Sequence, residues 1–140
     1  MLKKSKTDAV STPLDNVPLM AGLTASQRAR LAGEMTERVL APGERAVVEG
    51  RHGVGFFIII SGTASVVVKG ESKKTLGPGD YFGEVAMLSE GGVRSASVVA
   101  ETELVYLAMT AWHFKPFLKE HPEIAWEIMS EMAKRLASNN

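Results

Sequence analysis

Tyr81-Phe82-Gly83-Glu84-Val85-Ala86-Met87-Leu88-Ser89-Glu90-Gly91-Gly92-Val93-Arg94-Ser95-Ala96-Ser97-Val98 is the stretch on which the reading of the whole chain depends. It is entered through Gly77-Pro78-Gly79-Asp80, a turn sequence. It then offers an apolar run, Val85 to Leu88, long enough for one helical turn but not for a full helix. The first N–H groups of a helical turn lack intrahelical partners and carry partial positive charge, so amides from Gly83 through Val85 to Ala86 are suited to an anion. Gly83 permits close approach of the backbone. The Glu84 carboxylate repels a phosphate but accepts a hydrogen bond from a sugar hydroxyl beside one. Beyond the Gly91-Gly92 bend, Arg94 presents a planar fork of donors that matches two phosphate oxygens at once. The plainer alternative is a surface Glu84–Arg94 ion pair on either side of an ordinary glycine loop.

Taken together, Phe82-Gly83-Glu84-x-Ala86-x-Leu88 followed by Arg94-Ser95-Ala96 resembles the cyclic nucleotide-binding domain, in the subfamily typified by the sensor domain of the bacterial catabolite activator protein. The resemblance runs from about Leu14 to the C-terminus. It implies that Arg94 and Ser95 grip a cyclic phosphate, that Gly83 and Ala86 supply backbone amides, and that Glu84 accepts from the ribose 2′-hydroxyl. It also places Val66 and Leu76 against the base, although each is equally an ordinary core position, and Asn139 and Asn140 near the place where the activator's long helix closes over the base. The implied ligand is cyclic AMP, with cyclic GMP the alternative, because a hydroxyl after the arginine occurs with either. One departure stands out: Val54, within His52-Gly53-Val54-Gly55, takes a position that is acidic in many relatives.

The composition bounds these readings. At 140 residues, with 45% apolar and 6% aromatic residues, the chain suits one globular domain. Sixteen Lys and Arg balance 16 Asp and Glu, which argues against nucleic acid as a partner, since that affinity depends on neutralising many phosphates. One phosphodiester needs only one Arg. There is no cysteine, hence no disulfide framework or thiolate metal site. No apolar run approaches a membrane span, and basic Met1 to Lys6 is not followed by the apolar segment of a signal peptide. A cytoplasmic setting is expected.

Residues 1–13 are polar, basic and aperiodic and read as a mobile tail, leaving 14–140 as the domain. Thr24-x-x-Gln27 is a capping box that opens a helix from Ala25 to about Met35. From Thr36 the period changes to short strands between tight turns, with Phe56 to Ile60 and Thr63 to Lys69 as buried strands, Gly70-Glu71-Ser72 as a turn and Lys74 to Leu76 as a short strand. Strand-like sequence resumes at Ser95 to Ala100 and Leu104 to Ala108. About eight short strands with glycine punctuation describe a roll or small barrel. Thr110 is placed to cap a helix through Leu118, and Pro122 to open another running to about Ala137. Ile124, Ile128, Met132 and Leu136 form its stripe, suited to packing on the roll, to a homodimer seam, or to a lid. The expected fold is therefore mainly β, an eight-stranded antiparallel β-roll of jelly-roll type with one N-terminal and two C-terminal helices.

The expected function is a cyclic nucleotide sensor or regulatory module without a catalytic or DNA-binding domain of its own, passing its signal to an effector absent from this chain. The alternative is a degenerate domain of the same type kept for protein contacts. Catalysis is not indicated: His52, His113 and His121 lie on separate elements without metal-ligand spacing, and neither a Ser-His-Asp set nor a P-loop is present.

Overall fold

The computed structural model describes residues 11–51, 55–83 and 93–138, apart from the side chains of residues 111, 135, 136 and 138. Its β unit covers Met35–Trp112, and the segments on either side form a helical unit.

Among the described residues the β unit contains eight strands: β1 Thr36–Leu40, β2 Arg45–Val47, β3 Gly55–Ser61, β4 Ala64–Val68, β5 Glu71–Leu76, β6 Tyr81–Phe82, β7 Ser97–Ala100 and β8 Leu104–Thr110. They form two four-stranded sheets, ordered β1-β8-β3-β6 and β2-β7-β4-β5. Every pairing is antiparallel. The apolar runs expected to be buried are the inner strands. Phe56, Ile58 and Ile59 in β3 are fully buried, and β8 buries Leu104, Tyr106, Leu107, Ala108 and Met109. Burial on both faces of these strands explains why neither alternates between apolar and polar residues. One core cluster joins Ile59, Phe82, Leu104 and Tyr106 of the first sheet to Ala64, Leu76, Val98 and Ala100 of the second. Each large side chain removed from water in this way is worth about 1.5–3 kcal/mol before ordering costs.

The turns determine which residues share a face. Lys69 and Gly70 both have positive φ, 52° and 81°, so they form the two-residue loop of a tight hairpin between β4 and β5. The turn thus ends at Gly70, and Glu71 and Ser72, read as part of it, already belong to β5. Strand β5 then carries one extra residue: Val66 pairs with Lys74 and Val67 with Ser72, leaving Lys73 in a bulge.

In the helical unit, the Thr24–Gln27 capping box forms as expected, with reciprocal bonds of 3.1 and 2.9 Å opening α1, Ala25–Gly33. The helix stops two residues short of Met35, because Gly33 is a poor helix former and Thr36 is already in β1. Two 3₁₀ turns precede it, Pro13–Asn16 and Pro18–Met20. Thr12 caps the first of them, so built structure begins ahead of Leu14. Asp15 accepts from the Thr12 amide and from Arg28 Nε at 2.9 Å, and these two bonds hold its carboxyl below the usual carboxylate range. Helices α2, Ala111–Glu120, and α3, Pro122–Ser138, complete the unit. Thr110, expected as a cap, is the last residue of β8 and immediately precedes the first residue of α2. Ile124 and Ile128 are buried at 0% and 2% exposure, whereas the side chain of Leu136 lies outside the described part. Among the described residues no helix is long and apolar enough to cross a membrane.

Candidate functional site

The site begins at the turn Gly77-Pro78-Gly79-Asp80. Proline at its second position and Gly79 at φ +90° at its third give a type II turn. Asp80 clamps it: the Gly77 amide donates to the Asp80 carboxylate at 2.8 Å, and the Asp80 amide donates back to the Gly77 carbonyl at 3.0 Å. The Asp80 carbonyl then accepts from Ile59 N–H at 2.8 Å, which starts β6 beside β3. Phe82 pairs with Phe57 in the ladder, and their rings stack at 4.9 Å. Tyr106 packs edge-on against Phe57 at 5.6 Å, and burial pushes its phenol above the usual range.

Gly83 follows β6 with φ +93°, a conformation costly for any residue with a Cβ. Space forbids one as well. A Cβ there would lie 2.5 Å from the Gly55 carbonyl oxygen and 3.0 Å from Nη1 of Arg94.

Arg94 lies in the segment between Val93 and β7 and is only 6% exposed. Its backbone is fixed on both sides: its amide donates to the Arg51 carbonyl, and the Gly50 amide donates to its own carbonyl, each at 2.9 Å. The guanidinium donates from Nη1 to the Gly83 carbonyl and from Nη2 to the Gly55 carbonyl, both at 3.2 Å, and sits 5.6 Å from the Phe57 ring centroid. These two backbone acceptors orient the fork. A buried guanidinium aimed in this way is an anion-binding group in a low-dielectric setting.

Gly83, Arg94 and the exposed Ser95 line a cavity of about 240 Å³ together with Tyr81, Phe82 and Ala96. Across the second sheet its wall is a single cross-strand row: Val47 pairs with Val98, Val98 with Val66, and Val66 with Lys74. Residues in one such row share a face, so three valines form an apolar surface that ends in a lysine. Leu76 adds to it from the next row on the same face.

Of the residues singled out in the sequence, the structure brings Gly83, Arg94, Ser95, Val66 and Leu76 to this one cavity. Glu84, Val85, Ala86, Asn139, Asn140 and the departure at Val54 lie outside the described residues. Sequence reasoning missed Gly55 and Phe57, which hold Arg94, and Val47, Val98, Lys74 and Tyr81 in the walls. Strand alternation from Val66 was a usable signal for Val98 and Val47, but only once strand order was known. Of the histidines set aside as ligands, His113 contacts Glu34 at 3.1 Å and His121 packs on Phe117. Among the described residues no cluster of His, Asp or Glu is placed to hold a metal.

A cradled arginine, a glycine that admits no side chain and an apolar wall thus meet at one cavity of the β-roll. Comparison with known proteins agrees. The family model of the cyclic nucleotide-binding domain matches residues 37–121, and the chain belongs to that family. It is 43% identical over 93 residues to a cAMP-dependent protein kinase regulatory subunit of Yarrowia lipolytica, covering 65% of this chain and 24% of that one. Among solved structures, the N-terminal domain of a transcriptional regulator from Streptomyces coelicolor superposes with a TM-score of 0.75 at 30% identity, over 93% of this chain and 96% of that one. The catabolite activator protein of Thermus thermophilus gives a TM-score of 0.76 at 26% identity, over 87% of this chain and 59% of that one. The chain thus spans about a quarter of the length of the kinase regulatory subunits it matches.

Proposed function

We propose that this chain is a cyclic AMP-binding regulatory module. The observation that carries the reading is Arg94, buried and oriented by the Gly55 and Gly83 carbonyls beside an apolar wall. In this reading Arg94 and Ser95 take the cyclic phosphate with the amides of Gly83, Val85 and Ala86. Glu84 accepts from the ribose 2′-hydroxyl. Val66 and Leu76 face the base, with Asn139 and Asn140 as further candidate contacts to it. The name of the Yarrowia relative supports cyclic AMP over cyclic GMP.

The module regulates rather than catalyses, acting on an effector domain or protein, in a cytoplasmic setting, with neither nucleic acid nor membrane as its partner. Buried Ile124 and Ile128 are already used within the chain, so for pairing with a second copy α3 offers Trp126 and Met129, which are 67% and 58% exposed. Titration calorimetry tests the reading. Cyclic AMP should bind, and its 2′-deoxy analogue should bind at least about fivefold more weakly, because a Glu84 acceptor matched to that hydroxyl would be left unpaired. Equal binding of the two would refute the role of Glu84, and no binding of either would refute the function.

A further inference from the structure

We infer that Glu49 is a positioning residue for Arg94: it pins the connection that holds the arginine, by tying it to the tip of the β4–β5 hairpin and to β7. The inference rests on the cyclic nucleotide reading above only for what Arg94 grips. Beyond β2 the chain makes a turn in which the Arg51 amide donates to the Val48 carbonyl at 3.2 Å. Gly50 and Arg51 then clasp the backbone of Arg94, one by its amide and the other by its carbonyl. The same connection leads on to Gly55, whose carbonyl accepts from Nη2 of the guanidinium. Backbone and side chain of Arg94 are thus held by one short stretch of chain.

Glu49 anchors that stretch at two points. Its amide donates at 2.9 Å to the hydroxyl of Ser97, which is only 8% exposed at the start of β7. Its carboxylate accepts from the Lys69 amide at 2.8 Å. That amide has no acceptor in the ladder, which ends with the Val68–Glu71 pair, because Lys69 lies in the two-residue loop beyond it. The Glu49 side chain therefore joins the hairpin tip to the turn that clasps Arg94. Acting only through its charge, Glu49 would oppose an anionic ligand, and any neutral replacement would tighten binding. Acting as an anchor, it supports binding for as long as an acceptor oxygen reaches Lys69.

The test is calorimetry with cyclic AMP on the unaltered protein and on Glu49→Gln, Glu49→Asp and Glu49→Ala, with melts and with the Arg94 amide and Nε–H signals of the ligand-free proteins. Glu49→Gln keeps an acceptor oxygen at full reach and should bind within about twofold of the unaltered protein. Glu49→Ala, and Glu49→Asp with its charge kept but its reach shortened, should bind about three- to tenfold more weakly and shift the Arg94 signals before ligand is added. In an Arg94→Lys background Glu49→Ala should cost less than about twofold, because changes acting through one group do not add. Tighter binding by both neutral variants would show a charge effect. Equal loss for Gln and Ala would remove the Lys69 bond as the source, and equal loss in both backgrounds would show that Glu49 acts elsewhere than through Arg94; each of these results overturns the proposal. Failure of the unaltered protein to bind cyclic AMP would remove the nucleotide reading, while the ligand-free Arg94 signals would still decide the positioning role: moved by Ala and Asp but not by Gln they support it, and unmoved they refute it.

Discussion

Replacing Arg94 by alanine should act on binding and on folding through different atoms, and the two effects are separable. On the ligand side the variant loses charge-assisted hydrogen bonds worth about 1.5–3 kcal/mol each to a phosphate that no longer has its counter-charge. The net penalty for truncating one partner of a buried charge pair is about 2–5 kcal/mol, or a Kd raised roughly thirtyfold to several thousandfold. On the protein side the Gly55 and Gly83 carbonyls lose their donors. In a dry interior each orphaned acceptor costs about 1–3 kcal/mol, but Gly83 lines the cavity, where water can replace the lost donor, so a net loss of about 1–3 kcal/mol is expected. Arg94→Lys keeps the charge and loses the fork, and should recover only part of the affinity. Calorimetry with cyclic AMP, alongside melts without ligand, reads the two effects separately. A folded Arg94→Ala protein that binds cyclic AMP within twofold of the unaltered chain would refute the reasoning, whatever its melting temperature.

Gly83→Ala should cost about 2–4 kcal/mol of stability, because positive φ and the approach to the Gly55 carbonyl both exclude a Cβ; a melt unchanged within a degree would contradict the described geometry. Asp15 provides a pH-dependent case. Its folded pKa is lowered by the Thr12 amide and Arg28, so its contribution is fully present above the ordinary value of about 3.9 and is lost as pH falls through the lowered one. Melts of Asp15→Asn should therefore lie below those of the unaltered protein near pH 6 and converge with them as pH falls through the lowered pKa; a gap of constant size down to acid would show that the carboxylate is not the source.

Much of the fold was legible because its signals are local. The Thr24 capping box, the Gly77-Pro78-Gly79-Asp80 turn and the apolar run from Phe56 to Ile60 each act over a few residues, and each formed as read. The errors came where a long-range contact outweighed local preference. Tyr81 and Phe82 were given no strand in the sequence, yet ring stacking on Phe57 and pairing with β3 make them one. At the site the type of residue was legible and its support was not. Arg94 was identifiable from its neighbours in sequence, whereas Gly55, which holds it, lies 39 residues away and offers only a backbone carbonyl, which no side chain announces. Lys74 was hidden for a different reason, since the register of β5 depends on a bulge without a sequence mark of its own.

The central claim is that a cyclic nucleotide occupies the cavity between Arg94 and the Val47–Val98–Val66 row, and amide and methyl NMR during titration with cyclic AMP measures this most directly. The claim predicts that the largest shifts at saturation fall on the amides of Gly83, Arg94, Ser95 and Ala96 and on the methyls of Val66 and Leu76, with Arg94 Nε–H moved by the phosphate. Saturable binding that leaves those signals in place and moves residues elsewhere would contradict it.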